Sequence, residues 1–450
     1  MAAAAGGLNV DDLRGLPAGT ASSAALAHAE TALWRLVSFF DAPLADLDAA
    51  AAADPGWAWP HLLRAGFLVS LTEPALLPDA RAALEQAELR AAGATPRERA
   101  HHAALSRCAA GDWSGACAAW EEVLLDHPRD LAALQWAHFF DLHRGDSRSL
   151  RSRVARVLPQ WPADDPLRPY VLGLLAFGLE ECGQYAQAEA LGREACAGSA
   201  RVPAATHAVA HVCEMQGRHA DGRAWLAQTR GAWGEGNGFA LHHWWHEGLF
   251  RLEAMDTAGA LALYDERLGG TNPLLTLQRL DGAALLWRLR LFGVDVGARW
   301  ADIAQGWDLG ARDAGHSAFN DVHALLVLLG LGDRARAQAL LAAVQRRAER
   351  GHEDSAQAAR AVGSPLMCAL LAYDTGDTGD AGEAVQLLAP LRERSAPLGG
   401  SHAQRGLLDW TLLAACAASG ERRLGRALLD ERSVARGTTP LAAHWRRRLG

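Results

Sequence analysis

Histidine shows the clearest chemical pattern in this 450-residue chain, because several of its 18 copies fall in spaced groups. His207 and His211 lie four residues apart and Glu214 follows three later, so a helix would present all three on one face. Histidine exchanges protons near neutral pH, and neutral histidines with Asp or Glu also bind Zn, Fe or Mn. The group therefore indicates acid–base or metal chemistry, although its spacing lacks the specificity of an H-E-x-x-H motif.

Two further groups combine histidine with polar or aromatic neighbours at helical spacing. They are His242-His243-Trp244-Trp245-His246, in which His242 lies over His246 and His243 precedes His246 by three, and His316, Asn320 and His323 with Asp321 alongside. Burying such polar groups is costly unless they meet partners. Their recurrence in separate segments favours a shared site over independent core histidines.

A fourth group, Ser401-His402-Ala403-Gln404-Arg405, opens a helix directly after Gly399-Gly400. Arg405, beside His402 and Gln404 at a helix N-terminus, could hold an anionic ligand. The alternative is a capping turn with an ordinary surface arginine. The sequence leaves both interpretations open.

The elements that would position these groups are indicated by glycines that return at helix-length intervals. They stand at positions 111, 145, 183, 217, 293, 332, 376 and 420, with Met255 at the intervening turn. An interval of this length predicts stacked helical hairpins. The segment Gly111-Asp112-Trp113, followed by Ala116, Trp120 and Pro128, is close to a tetratricopeptide repeat. The predicted fold is all-α, a TPR-like α-solenoid of stacked helical hairpins forming a right-handed superhelix around a polar inner groove.

Counting back from each turn sorts the polar residues by height along their helices. His102, His246 and His323 precede their turns by nine residues, His207 by ten, and His243 and Asn320 by twelve. All belong to the first helix of their hairpins, which lines the concave wall in tetratricopeptide arrays. We therefore expect these side chains to project into a common groove.

Composition excludes several classes of function. A net charge of -8 gives no electrostatic case for nucleic acid or an anionic membrane as partner. All 44 basic residues are arginine, which excludes a Schiff-base lysine or a P-loop lysine, and no G-x-S-x-G or Rossmann glycine motif is present. Seven scattered cysteines without C-x-x-C, together with no signal peptide and no apolar stretch of about 20 residues, predict a reducing cytoplasmic location.

The chain is predicted to divide into three parts. Residues 1–21 form a flexible N-terminus, residues 22–268 form N-terminal TPR-like repeats, and residues 269–450 continue the same solenoid as C-terminal repeats. The last boundary is placed at the start of the break Gly269-Gly270-Thr271-Asn272-Pro273.

Several motifs resemble the tetratricopeptide repeat protein 38 family over roughly residues 20–445. They include His207-Ala-Val-Ala-His211-Val-Cys-Glu214, His243-Trp-Trp-His246, Phe319-Asn320-Asp321-Val-His323 and Gly399-Gly400-Ser401-His402-Ala403-Gln404-Arg405. The resemblance implies a solenoid closed around a polar interior, with His207, His211, His246 and His323 recurring beside Asn320, Asp321, Gln404 and Arg405. Gly406 departs from the aspartate expected of that family, which puts a carboxylate role near Arg405 in doubt.

Two function classes follow from these patterns. In the leading hypothesis the inner pocket binds a small molecule, and acid–base or metal-assisted catalysis at that pocket is left open. His207, His211, His246 and His323 would act as bases or as ligands to a divalent metal, Asp321 and Glu214 would orient them, and Glu214, His243, Asn320, His402, Gln404 and Arg405 would contact the ligand. The alternative is a scaffold that grips a peptide or partner helix in the concave groove.

Overall fold

The protein is an all-α solenoid of stacked helical hairpins, which confirms the predicted fold class. The computed structural model describes residues 11–269, 275–310 and 314–450. Within these ranges no β-strand is present, and only two isolated bridges occur, Asp11 with Pro17 and Phe40 with Asn237. In the same ranges, no helix has the length and apolar character required to cross a membrane.

The helices follow one another with short connections along the whole described chain. Their bounds are α1 Ser23–Ser38, α2 Leu44–Ala53, α3 Trp59–Ser70, α4 Leu77–Glu88, α5 Pro96–Ala109, α6 Trp113–Asp126, α7 Leu131–His143, α8 Ser147–Val157, α9 Arg168–Glu181, α10 Tyr185–Gly198, α11 Pro203–Met215, α12 His219–Thr229, α13 Ala240–Glu253, α14 Thr257–Leu263, α15 Thr276–Leu291, α16 Arg299–Ala304, α17 Ala318–Gly330, α18 Arg334–Arg350, α19 Asp354–Ala358, α20 Ser364–Asp374, α21 Thr378–Leu388, α22 His402–Ser419, α23 Arg422–Arg436 and α24 Pro440–Leu449. Two π-helical segments, Tyr264–Leu268 and Ala359–Gly363, continue α14 and join α19 to α20.

The turn inside each hairpin requires a residue with positive φ. The glycines at 111, 145, 183, 217, 293, 332, 376 and 420 all have φ between +68° and +87°. Glycine reaches this region without the steric cost that a Cβ adds. Met255 has the same conformation, with φ 58°, at the one turn of the series without glycine.

The apolar core forms two large clusters that meet near α11. One cluster runs from Ala18 to Val212, and the other runs from Met215 to Leu449. Small residues allow the helices to approach closely. A Cβ on Gly66 of α3, for example, would overlap the ring of Trp136 on α7. First helices of neighbouring hairpins pack on one another, as α9 does on α11, α13 on α15 and α15 on α17.

The second half of the solenoid returns to pack on the hairpin turns of the first half. The contacts join Glu73 to Thr276, Thr72 to Asn320, Ser114 to Asp354, and Glu181 to His402. At Gly145 and Gly217 the backbones of Ala396 and Arg436 approach so closely that a Cβ would overlap their carbonyl oxygens. We call this boundary the seam. The seam covers the hairpin turns at which the helices of the first half end.

The predicted three-part division meets the described residues only in part. Residues 1–10 of the predicted flexible N-terminus, and residues 270–274 beside the predicted 268/269 boundary, lie outside them. The remainder of the N-terminal segment contacts the solenoid, since the buried Arg14 guanidinium bonds Asp12 and Glu30, and the Gly19 N–H donates to Glu98.

Candidate functional site

Four histidines from two neighbouring first helices meet in one cluster, which we call the four-His cluster: His207 and His211 of α11, and His242 and His246 of α13. One ring nitrogen from each lies within 4.8 Å of the corresponding atom of every other. The i, i+4 spacing stacks each pair on one face of its helix. The ring centroids are 4.3 Å apart for His207 and His211, and 4.5 Å apart for His211 and His246.

Three members of the four-His cluster are buried, His242 is partly exposed, and the cluster is incompletely hydrogen-bonded. His211 and His246 are 0% exposed. Among the described residues, both ring nitrogens of His211 and Nε2 of His246 lack a hydrogen-bond partner. A buried polar atom left unpaired costs roughly 1–3 kcal/mol. Unpaired nitrogens on two rings of so compact a cluster indicate a position for a ligand that accepts nitrogen lone pairs.

Carboxylates lie next to three of the four imidazole rings, at the Nδ1 atoms. Asp281 of α15 lies 2.8 Å from Nδ1 of His242, and Glu214 lies 3.1 Å from Nδ1 of His246. Glu180 of α9 approaches Nδ1 of His211 at 3.4 Å. Metal-bound histidines commonly donate their second ring N–H to a carboxylate in this way, which fixes the tautomer. The outer groups thus orient lone pairs toward the centre of the cluster.

Burial keeps three of the four histidines, His207, His211 and His246, neutral at pH 7. Burial, followed by the charge of neighbouring histidines, holds the pKa values of His207 and His246 well below 6.5. Burial lowers the pKa of His211 to about 4, against the opposing effect of Glu214. A neutral imidazole has the free lone pair that a metal requires.

The charges around the four-His cluster are unbalanced in favour of carboxylates. Glu180, Glu181, Glu214 and Asp281 are all buried. The guanidinium of Arg405 pairs with Glu181, and the buried Arg288 lies over Trp245 beside the cluster. Burial and the adjacent Glu181 raise the pKa of Glu180 well above its usual value. The raised pKa favours the protonated form of Glu180, so the other three carboxylates face two guanidiniums and leave one net negative charge that a bound cation would offset.

One pair of nitrogens in the cluster, which share a hydrogen bond, is spaced much as two ligands of one tetrahedral ion would be. Nε2 of His207 and Nε2 of His242 are 3.0 Å apart. Two nitrogens bound to one zinc at about 2.0–2.1 Å are separated by about 3.3 Å in a tetrahedron. Imidazole ligands suit Zn, Cu, Fe and Ni, whereas Mg and Ca prefer oxygen.

The structure brings together His207, His211, His246 and Glu214 of the sequence-predicted set. His243 lies one residue from the cluster but faces elsewhere, because its nitrogens contact the carbonyl oxygens of Phe239 and Pro203 at 3.1 and 3.2 Å. The fourth member is His242, which sequence reasoning noted over His246 but did not place in the site.

The predicted α17 residues lie apart from the four-His cluster. Nδ1 of His323 contacts the Phe319 carbonyl oxygen at 2.8 Å. The Asn320 side chain donates to the Thr72 carbonyl across the seam at 3.1 Å. Asp321 accepts from the Gly315 N–H rather than from His323. These groups hold loop and seam backbone.

The α22 group also makes contacts across the seam. Gln404 and Ser401 form a capping box at the start of α22. His402 donates its backbone N–H to Oε1 of Glu181 at 2.8 Å, and Arg405 contacts Oε2 at 3.2 Å. Arg405 is thereby paired within the chain, and the group fixes Glu181 beside Glu180.

Sequence reasoning missed Asp281, Glu180 and Glu181. A signal existed for Glu180, since it precedes Gly183 by three residues just as Glu214 precedes Gly217. Asp281 also carried a signal, since it precedes Gly293 by twelve residues just as His243 and Asn320 precede their turns, although no histidine is adjacent to it.

Replacing Asp321 by asparagine is expected to stabilise the protein at alkaline pH. Burial raises the pKa of Asp321 to about 7, against the opposing Gly315 hydrogen bond. A carboxyl whose pKa is raised on folding contributes stability that is present below pH 3.8 and lost as pH rises to about 7. The gain from Asp321→Asn should be about 2 kcal/mol larger at pH 8 than at pH 5 in urea unfolding. Asp126→Asn, an exposed change at the end of α6, is the control and should show a pH-independent effect.

Comparison with models of known protein families finds none that matches this chain.

Proposed function

We propose that this protein is a metal-binding solenoid that holds one divalent transition-metal ion at the four-His cluster. The observation that carries the proposal is the convergence of four imidazoles, three of them buried, whose nitrogens lie within 4.8 Å, several without a partner in the described chain. The carboxylate excess around the cluster supports the same conclusion. A kinship with the tetratricopeptide repeat protein 38 family, suggested by the sequence motifs, belongs to this proposal.

Histidines 207, 211, 242 and 246 would supply the ligands, and Asp281, Glu214 and Glu180 would accept their second N–H groups. Four protein ligands are typical of closed, stabilising zinc sites, whereas catalytic sites keep one position open. His242, whose side chain is 11% exposed, is the ligand nearest solvent and the one whose release would open such a position. Metal-assisted chemistry on a small molecule would take place on that side.

The burial of the cluster argues against the alternative of a peptide-binding groove. A peptide would need contact with the polar inner wall, but His211 and His246 are inaccessible and the seam covers the ends of the first helices. We also propose a cytoplasmic location, which is supported by the absence of disulfides among the seven cysteines, all of them described.

The test uses protein purified without a histidine tag and stripped of metal with a chelator. Titration with Co²⁺ should give one equivalent of binding and the intense visible absorption of a tetrahedral ion, and Zn²⁺ should displace it. The proposal is overturned if neither ion binds at stoichiometric concentration. It is also overturned if the Co²⁺ spectrum is that of weak octahedral binding.

A further inference from the structure

A cavity that none of the four-His cluster residues line lies at the seam. Its volume is about 400 Å³. The first half contributes Trp113, His143 and Arg144, and the second half contributes Asp354, Ala361 and Leu398. Ligand sites occur preferentially between two bodies of a protein and have volumes of roughly 300–1,000 Å³. Size and position are therefore those of a small-molecule site.

One wall of this cavity has an unusual backbone. The π-helical segment Ala359–Gly363 forms part of it, with the small side chains of Ala358 and Ala361 facing the space. Single π-helical turns are rare and are found often at functional sites. Alanine at these positions keeps the space open where a larger side chain would fill it.

Two histidines beside the cavity have unused hydrogen-bonding capacity. His143 is 9% exposed and His316 is 8% exposed, and they pack on Trp113 with ring centroids 5.9 and 6.1 Å away. No hydrogen bond to either ring is formed within the described residues. Burial lowers the pKa of both to about 4, so each is a neutral donor and acceptor at pH 7. His143, which lines the cavity, offers a polar contact to a bound molecule.

The charges of the lining favour a cation over an anion. Arg144 is already bonded to Asp141, Asp146 and Ser114, so its guanidinium is not free for a ligand. Asp146, which bonds Arg144, and Asp354, which accepts from the Ser114 N–H and hydroxyl, also line the cavity, so the lining carries one net negative charge. Trp113 adds an aromatic ring, and ring faces attract cations.

We propose that the seam cavity binds a small organic amine, with its apolar body against Trp113 and Leu398 and its polar group toward His143 and Asp354. This site is separate from the metal proposed above, so either can fail without the other.

Three probes of one shape test the assignment: 2-phenylethylamine, 2-phenylethanol and phenylacetate. Isothermal titration should show the amine binding at least about tenfold more tightly than phenylacetate, as a cation–π contact and one net carboxylate would give. Tighter binding of phenylacetate would overturn the charge assignment. No binding of any probe at millimolar concentration would overturn the site.

Two variants locate the binding. Ala361→Trp fills the cavity from its π-helical wall, and His143→Phe keeps the ring packing but removes both nitrogens. Each should weaken amine binding at least about tenfold, while helicity by circular dichroism stays that of the unmodified protein. Gln187→Trp, on the exposed face of α10, is the matched control for an added indole. Unchanged affinity in a folded Ala361→Trp protein would refute the proposal.

Discussion

Replacing His211 and His246 together by alanine should abolish stoichiometric zinc binding. Structural zinc sites with four ligands bind with roughly 10–16 kcal/mol, or about 2.5–4 kcal/mol for each ligand. Loss of two ligands therefore predicts an affinity about 10⁴- to 10⁶-fold weaker. Competition with a chromophoric chelator measures this range. Both side chains are 0% exposed, so their removal also leaves a cavity at the junction of α11 and α13.

The control is His102→Ala, because His102 precedes its turn by nine residues as His246 does but contacts the Leu84 carbonyl instead of other histidines. Its zinc affinity should be unchanged. Asp281→Asn provides a conservative second variant that keeps every nitrogen ligand. Loss of its charge behind His242 should weaken zinc binding about 10- to 100-fold. Wild-type affinity in both the double variant and Asp281→Asn would contradict the metal site.

The fold could be predicted from the sequence because the turn glycines report backbone geometry directly. A residue with positive φ ends the first helix of each hairpin, and glycine is the residue that reaches this conformation most easily. The turn at Met255, which has no glycine, could be assigned only because the glycine turns before and after it establish the interval. The seam could not be predicted in this way, since contacts such as Glu181 with His402 join residues far apart in the sequence.

The site was predictable within one pair of helices and less so beyond it. Counting from the turns placed His207 and His246 within one residue of the same height on adjacent first helices, and the structure joins them. The distance from the turn does not specify the direction in which a side chain leaves the helix axis. That direction distinguishes His242, which faces the cluster, from His243, which contacts backbone carbonyls. Height also does not specify neighbours. His323 shares the height of His246, but α15 with Asp281 stands next to α13 instead.

The four-His cluster lies where the two large apolar clusters meet, between Val212 and Met215 in the chain. At this junction α9, α11, α13 and α15 all contribute charged or polar groups to the interior. An ion bound there would connect helices from both clusters through a single set of ligands. Metal binding is therefore expected to stabilise the solenoid as a whole, because it favours the folded state in proportion to ligand concentration over Kd.

Gly145→Ala should destabilise the protein far more than the equivalent change at Gly183. Both glycines end the first helix of a hairpin with similar φ, +68° and +74°. An alanine at either position has the cost of the left-handed region, about 1–2 kcal/mol. At Gly183 nothing lies within 4 Å of the added Cβ, whereas at Gly145 the Cβ would overlap the backbone carbonyl of Ala396.

The overlap at Gly145 cannot be relieved by a side-chain rotation, because the obstructing atom belongs to the backbone of the second half. The seam must open locally or shift, which adds about 1–3 kcal/mol to the cost shared with Gly183. Urea unfolding should therefore show a loss of about 2–5 kcal/mol for Gly145→Ala and about 1–2 kcal/mol for Gly183→Ala. Equal losses would mean that the seam does not constrain this turn in solution. A larger loss at Gly145, with amide exchange increased around Ala396, would establish that the turn glycine serves both the hairpin and the contact between the two halves.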